Sequence, residues 1–259
     1  MSYSFSLSLA AVDILLDQGG LGPAPGPFVV PHIGTSHEQR GMVRDAVFRD
    51  LEGRGLMRGG RLDPDVELAL ATFVHSDLVI TAAAQLDQGR QLFARAASNG
   101  QFAILARQDE NLVVFDEIRP TGIVPSIVDL LPLTPAAPGQ SVTFAKPSSQ
   151  QRPRRGPDDA YDPFAGVSAP RTSSSHAQLR VVERIFEKPK TRVGQFTASV
   201  KGRDGRQADL STLAWFDTEA GRYLMSSHQA ADGQHWLTYS PADNARIAQQ
   251  LYSLLEGYF

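Results

Sequence analysis

The sequence contains no cysteine among its 259 residues. This absence excludes disulfide bonds, thiolate metal ligands and cysteine nucleophiles. A chain without cysteine suits a reducing compartment, and we therefore expect a cytoplasmic protein. Long apolar runs are absent as well, since none approaches the about 20 residues that a membrane-spanning helix needs. We expect no membrane insertion.

The chain also lacks a strong excess of charge. Its formal net charge is −3 and its pI is near 6.1. Such a balance provides no general attraction to nucleic acid or to anionic membranes. Residues 1–20 hold neither Lys nor Arg, and Asp13 and Asp17 interrupt their apolar run. A secretory signal is therefore not expected, because it needs a basic start and an uninterrupted apolar segment.

Motifs of catalysis and cofactor binding are missing too. The sequence holds no HExxH, GxSxG, GxxxxGK[ST] or GxGxxG pattern. Among the six histidines, His228 and His235 would face each other across a predicted hairpin, but zinc needs at least a third protein ligand. We expect no catalytic residue, no cofactor and no bound metal. A small-molecule enzyme with an unrecognised cleft stays open as an alternative.

The chain contains one pattern of secondary structure twice. Residues 77–131 show four strand-like runs separated by short turns, followed by a helix, and residues 190–255 show the same order. Short connections between consecutive strands indicate antiparallel meanders. Ser240 followed by Pro241 predicts the start of the last helix. A repeated α+β unit without a catalytic cluster favours a binding protein over an enzyme.

Residues 135–176 differ in composition from both halves. They are rich in Pro and Ser and include the basic run Arg152-Pro153-Arg154-Arg155. Because few apolar residues are available to offset the entropy of ordering, we predict a flexible linker. The predicted organisation is a single domain of residues 1–259, with an N-terminal half (1–134), this linker (135–176) and a C-terminal half (177–259). A nucleic-acid adaptor that binds through the linker arginines remains a further alternative.

Aromatic residues concentrate on the predicted strands of the C-terminal half. Trp215 and Phe216 are neighbours in the sequence, so their side chains point to opposite faces of the sheet. Either the sheet is covered on both faces, or one of these two residues contacts a partner, a role in which aromatic residues are common.

Several weak motifs follow one another in a characteristic order. A capped helix ends at Arg54-Gly55-Leu56, and Leu62-Asp63-Pro64 begins the next helix. Leu130-Leu131-Pro132-Leu133 ends the first half, and Tyr239-Ser240-Pro241-Ala242-Asp243 precedes the last helix. In this order, and with the internal duplication, the sequence resembles the EspG family of type VII (ESX) secretion systems in actinobacteria. The resemblance covers nearly the whole chain outside residues 145–176, and no single motif in it is specific.

The resemblance implies an α+β fold with a central, mostly antiparallel sheet, two helical bundles and duplicated halves related by a pseudo-two-fold axis. It also implies a cytosolic chaperone that is not an enzyme. Such a chaperone binds the apolar tip of the PPE subunit in a PE–PPE heterodimer and keeps the pair soluble for export. The expected partner is that heterodimer, without nucleic acid, and the protein itself is expected to be a monomer or a weak dimer.

The resemblance further implies where the partner binds. The implied surface consists of the loop between the first two meander strands, one face of the second-half strands, and the outer face of the last helix. In this sequence the corresponding partner-binding residues are Leu86, Asp87, Gln88, Gly89, Arg90, Phe196, Trp215, Met225, Trp236 and Arg246.

Overall fold

Antiparallel strands form the framework of the protein, a computed structural model that describes residues 3–145, 185, 187–202, 205–229 and 234–258. The chain divides into two compact units, each assembled from segments that are distant in sequence. The first unit comprises residues 1–83, 92–130 and 198–209, and the second comprises residues 84–91, 131–197 and 210–259. No helix in the described part of the chain is both long and apolar enough to cross a membrane.

The first unit begins with a strand and three helices. These are β1 (Ser4–Ser8), α1 (Leu9–Gln18), α2 (His37–Gly53) and α3 (Pro64–Val74), with a short hairpin of β2 (Met57–Arg58) and β3 (Arg61–Leu62) before α3. Side-chain caps fix where the helices begin. The Ser8 hydroxyl accepts from the Ala11 amide at the start of α1, and the Asp63 carboxylate accepts from the Asp65 amide at the start of α3.

Four strands and a short helix follow, and apart from residues 84–91 they belong to the first unit. They are β4 (Leu78–Gln85), β5 (Gln91–Ser98), β6 (Ala103–Asp109), β7 (Leu112–Ile118) and α4 (Ile123–Val128). The strand order is β1-β7-β6-β5-β4, so the N-terminal strand pairs with the fourth strand of the meander. Phe5 lies opposite Phe115 in this pairing, and the two rings stack with centroids 5.0 Å apart. These rings join the inward faces of the helices in one apolar core.

The second unit has the same strand order. Its strands are β8 (Val142–Ala145), β9 (Arg192–Lys201), β11 (Leu213–Thr218), β12 (Gly221–Gln229) and β13 (His235–Pro241), and the helix α5 (Asn244–Leu254) follows. The order is β8-β13-β12-β11-β9, with β8 on the fourth meander strand. The last residues of β9 belong to the first unit, where they pair with β10 (Gln207–Asp209).

The predicted fold class is confirmed: the protein is α+β, with a large antiparallel sheet. The repeat is more extensive than the sequence pattern indicated. In each unit a strand that precedes the meander in the chain, β1 in one case and β8 in the other, pairs with the fourth strand of the meander. Each repeat therefore has five strands, of which the sequence pattern had given four.

The prediction of a linker over residues 135–176 is wrong at its N-terminal end. Ala137 is buried, and its amide donates to the Arg222 carbonyl at 3.0 Å. Val142 and Phe144 are buried in β8, which pairs with β13 over four residues. Proline-rich composition hid this strand, because only its two inward-facing side chains are apolar and large. Residues 146–176, including the arginine run 152–155, lie outside the described residues.

The predicted start of the last helix is also wrong. Ser240 and Pro241 are the last two residues of β13, where Pro241 lies opposite Tyr223. The helix begins after Asp243, whose carboxylate accepts from the Arg246 amide at 2.8 Å. Proline suits the end of a strand as well as the first turn of a helix, so the pairing of β13 with β12 decided between the two.

His228 and His235 do not form the predicted facing pair. In the hairpin of β12 and β13, His235 lies opposite Gln229, and His228 lies opposite Trp236. Because neighbouring residues of a strand point to opposite faces, the two histidines lie on opposite faces of the sheet. In the part of the chain that the structure describes, no group of His, Asp or Glu side chains could hold a metal ion.

The neighbouring aromatic residues Trp215 and Phe216 are both fully buried. Phe216 packs in an apolar cluster with Tyr223, whose ring stacks on it at 5.4 Å. Trp215 is buried on the other face of β11, beneath the guanidinium of Arg222 at 4.6 Å. The sheet of the second unit is therefore covered on both faces at this point, which was the first of the two possibilities drawn from the sequence.

Candidate partner-binding site

The turn between β4 and β5 has a tightly defined backbone. The Leu86 amide donates to the Arg90 carbonyl at 2.7 Å, and this bond closes the turn. Gln88 and Gly89 both have positive φ, 57° and 75°, a conformation that glycine adopts freely and that costs more for glutamine. The Leu86 side chain is buried, whereas residues 87–90 are exposed. The buried Leu86 side chain thus anchors the turn, and the four residues after it are exposed to solvent.

Arg192 at the start of β9 holds this turn. Its Nη2 lies 2.6 Å from Asp87 Oδ2, and its Nη1 donates at 3.2 Å both to Thr134 Oγ1 and to Asp217 Oδ2. The hydrogen bond from Arg192 holds the pKa of Asp87 below its ordinary value, against a smaller opposing effect of desolvation. One guanidinium therefore joins three chain segments, which only the forked geometry of arginine permits.

Behind Arg192 lies a fully buried ion pair. Arg222 Nε donates to Asp217 Oδ1 at 2.7 Å and Nη2 donates to Oδ2 at 3.0 Å, so the pair is bidentate. The side chains are 0% and 2% exposed. The same guanidinium contacts the Trp215 ring, which adds a cation–π interaction. Asp217 thus receives hydrogen bonds from two arginines, one buried and one half-buried.

Residues 131–137 form several hydrogen bonds with Arg222 of this pair. Arg222 Nη2 donates to the Pro132 carbonyl at 3.1 Å and to Thr134 Oγ1 at 3.2 Å, and the Arg222 amide donates to the Pro135 carbonyl at 2.9 Å. The segment also lies close against Gly221, where a Cβ atom would come within 2.7 Å of the Pro135 carbonyl oxygen. Between these fixed points, the Leu133 side chain is 91% exposed.

The helix α5 is tied to the same segment at its first residue. Arg222 Nη1 donates to Asn244 Oδ1, and Asn244 Nδ2 donates to the Leu131 carbonyl at 3.3 Å. The inner face of α5 is buried through Ile247 and Leu251. Its outer face forms a shallow, mainly apolar surface lined by Ala245, Ala248, Gln249, Tyr252, Ser253 and Glu256.

The structure distributes the ten predicted partner-binding residues over three environments. Leu86, Phe196 and Trp215 are buried and pack the interior, so their side chains offer no surface in this structure. Met225 and Trp236 are half-buried on β12 and β13. The exposed ones are Asp87, Gln88, Gly89, Arg90 and Arg246, and Arg246 donates from Nη1 to Gln249 Oε1 at 2.7 Å.

The residues that join these elements were missed by the sequence analysis. Arg192, Asp217 and Arg222 connect the turn, the 131–137 segment and α5, and none of them was predicted. One signal was available, because Asp217 and Arg222 are charged residues inside runs that otherwise read as buried strands. Such charges are rarely buried unless they are paired. No pattern in the sequence, however, indicates which residue pairs with which.

A separate cavity in the first unit bears on the enzyme alternative. It has a volume of about 520 Å³ and is lined by Asp13, Leu16, Asp17, Val30, His32 and Arg40, among others. Its charged groups are paired with one another: Arg40 Nη1 lies 2.8 Å from Asp13 Oδ2, and Nη2 lies 2.8 Å from Asp17 Oδ2. Burial raises the pKa of Asp13, but the hydrogen bonds from Arg40 and from the Ile33 amide outweigh this and lower it overall. The cavity therefore holds an ionised, structurally engaged carboxylate.

The model of the EspG family matches residues 8–253 of the chain. A solved structure of the Mycobacterium tuberculosis type VII secretion system chaperone EspG5, in complex with the PE25-PPE41 dimer, is similar in fold, with a TM-score of 0.66. The similarity covers 98% of this chain and 96% of that chain at 14% sequence identity. No curated protein matches the chain in sequence.

Proposed function

The chain belongs to the EspG family, and on that premise we propose that it is a cytoplasmic chaperone of a type VII secretion system. Its client is a PE–PPE heterodimer, bound through the apolar tip of the PPE subunit and kept soluble for export. The observation that carries the proposal is the family match over residues 8–253. The similar EspG5 structure, solved with a PE–PPE dimer, supports it. The proposed activity is binding, without a catalytic step.

Physical chemistry explains why such a client needs a partner. An exposed apolar patch is a site of aggregation, and a protein that covers it favours the soluble complex by mass action. The surface proposed to cover it lies in the second unit. It consists of the turn at residues 87–90, the exposed Leu133 and the outer face of α5. Each part is linked to the network through one residue or its neighbours: Asp87 bonds to Arg192, and Pro132 and Asn244 bond to Arg222.

Co-expression tests this proposal directly. PE–PPE pairs encoded by the same genome are expressed with and without the protein, and the soluble fraction and co-purification are measured. We expect at least one pair to co-purify with the protein and to gain solubility from it. If no pair does either, the proposed function is wrong.

Charge reversal at the turn tests whether the second unit carries the binding. Arg90→Glu should weaken capture of the client without lowering the melting temperature, because an exposed residue at a turn tip contributes little to the core. Arg49→Glu on α2 of the first unit is the matched control, since Arg49 is also exposed. Equal capture by both variants would place the binding surface elsewhere.

A further inference from the structure

Leu133 is exposed in an unusual setting. Single exposed leucines are common on protein surfaces and carry no meaning by themselves. Here, however, the residues on both sides of it are held by hydrogen bonds to buried or half-buried side chains. The Leu131 carbonyl accepts from Asn244, and the Pro132 carbonyl and Thr134 hydroxyl accept from Arg222. The leucine is therefore 91% exposed on a fixed backbone and not on a loose loop.

The fixed backbone has a consequence for binding. A partner that docks on a mobile loop must pay the entropy of ordering it, whereas a preorganised residue binds without that cost. Leu133 is therefore preorganised for binding. Its side chain is the most exposed of the large apolar side chains among the described residues.

Arg192 places this leucine beside the polar turn. The guanidinium bonds to Asp87 in the turn and to Thr134, the residue after Leu133. Asp87 of the turn and the residue next to the leucine therefore bond to the same side chain. The resulting surface has an apolar centre with a polar border of residues 87–90, which is the usual composition of a protein–protein contact.

The charges around Leu133 indicate what kind of surface fits there. Asp87 is paired with Arg192, and Asp217 is paired with Arg222, so these four formal charges cancel. A neutral centre of this kind offers no attraction for a phosphate backbone, whose binding depends on unpaired cations. It fits an apolar protein surface with an acidic or neutral edge near Arg90.

We propose that Leu133 is the apolar anchor of the client-binding surface and that Arg192 is the positioning residue that holds it beside the turn at residues 87–90. This inference rests on the proposed function, and its occupant is the apolar tip of the client PPE subunit. Arg192 need not touch the client. It acts by fixing the distance between the leucine and the turn.

Affinity measurements on the full-length protein test the anchor. The probe is a purified PE–PPE pair that co-purifies with the unmodified protein. Leu133→Ala should weaken binding by about 10-fold, since each 1.4 kcal/mol of lost burial is tenfold in affinity. Leu133→Asp should weaken it further, and neither change should lower the melting temperature. Leu112→Asp, at a leucine of the first unit that is 43% exposed, is the matched control and should bind normally.

A double-mutant cycle tests the positioning residue. Arg192→Met should weaken binding several-fold in the unmodified protein but add little in the Leu133→Ala background, because its effect runs through the leucine. If Arg192→Met folds poorly, Asp87→Asn loosens the same link from its exposed end and leaves the Asp217–Arg222 pair intact. Because Asp87 also lies on the proposed binding surface, its effect is measured in the same cycle, with and without Leu133→Ala. Arg192→Lys should restore binding only in part, because lysine lacks the fork.

The outcomes separate this inference from the proposed function. If the unmodified protein binds no PE–PPE pair, the proposed function fails. If it binds and Leu133→Ala binds equally well, Leu133 is not the anchor. If Arg192→Met weakens binding equally with and without Leu133, Arg192 contacts the client itself and is not a positioning residue.

Discussion

The two units each bury an arginine but treat it differently. In the first unit, Arg95 on β5 is 8% exposed and donates from Nε to the Phe73 carbonyl at the end of α3, at 2.8 Å. In the second unit, Arg222 on β12 is fully buried and bonds to a carboxylate, an amide, a hydroxyl and a carbonyl. Burial lowers the pKa of Arg95 to about 10, which still leaves it charged at neutral pH.

The difference shows what each arginine does. Arg95 caps the C-terminal end of one helix, where unpaired carbonyls and the helix dipole favour a cation. It therefore stabilises a single element inside the core. Arg222 gathers a strand, an irregular segment and the start of α5 around itself. In the second unit the buried Arg222 thus holds surface segments in place, and these segments form the candidate binding surface.

The largest loss of stability is expected when Asp217, the buried carboxylate of the second unit, is removed. Asp217→Ala leaves Arg222 buried without its carboxylate, and breaking a buried pair in this way costs about 3–5 kcal/mol. Chemical denaturation measures the free energy of unfolding. Asp87→Ala, which removes the exposed partner of Arg192, is the control and should change it little. If both variants are equally stable, the buried pair does not hold the second unit together.

The same substitution at the two arginines sharpens the comparison. Arg95→Met removes one hydrogen bond to a carbonyl but also removes a buried charge that forms no ion pair with the described residues, so the net change should be about 1 kcal/mol or less. Arg222→Met leaves Asp217 buried without its main partner and should lower the free energy of unfolding by about 3–5 kcal/mol. Denaturation of both variants under identical conditions decides the matter. A loss at Arg95 as large as that at Arg222 would show that the first unit depends on its arginine just as strongly.

The smallest effect concerns pH and the first unit. The pKa of Asp13 is lowered in the folded state, so its contribution to stability is present above the unfolded value of about 4 and is lost as pH falls through the lowered folded value. Asp13→Asn should therefore lower the melting temperature at pH 7. At acid pH the deficit should shrink, because the Asp13 carboxylate of the unmodified protein becomes protonated as the pH falls through its lowered folded pKa. An equal deficit at both pH values would mean that the charge of Asp13 is unimportant.

Local structure was largely accessible from the sequence. Four strands and a helix were predicted in this order over residues 77–131, and Asp63-Pro64 was recognised as the start of α3. The Asp87-Gln88-Gly89 turn was placed correctly as well. These features depend on neighbours within a few residues: alternation, side-chain caps and backbone conformations that glycine tolerates. By contrast, the helix start at Asp243 was misplaced because Pro241 suits two local structures equally.

The candidate site was accessible only in part. The exposed residues 87–90 were indicated, but Leu86, Phe196 and Trp215, which were predicted to bind the partner, have buried side chains. Hydrophobic side chains on strands look the same in the sequence whether the face they occupy is covered or open. Leu133 was quoted only as part of a motif, since an exposed leucine has no sequence signature of its own.

The sequence by itself determined the elements and their repetition: two antiparallel meanders, the helices that follow them and the absence of cysteine chemistry. Only the tertiary structure decided which distant residues meet. Asp87 and Arg192 are 105 positions apart, and Thr134 and Arg222 are 88 apart. Such contacts depend on strand order and register, which arise when the whole chain packs. Periodicity reports only which way a side chain points, and it cannot report what lies opposite.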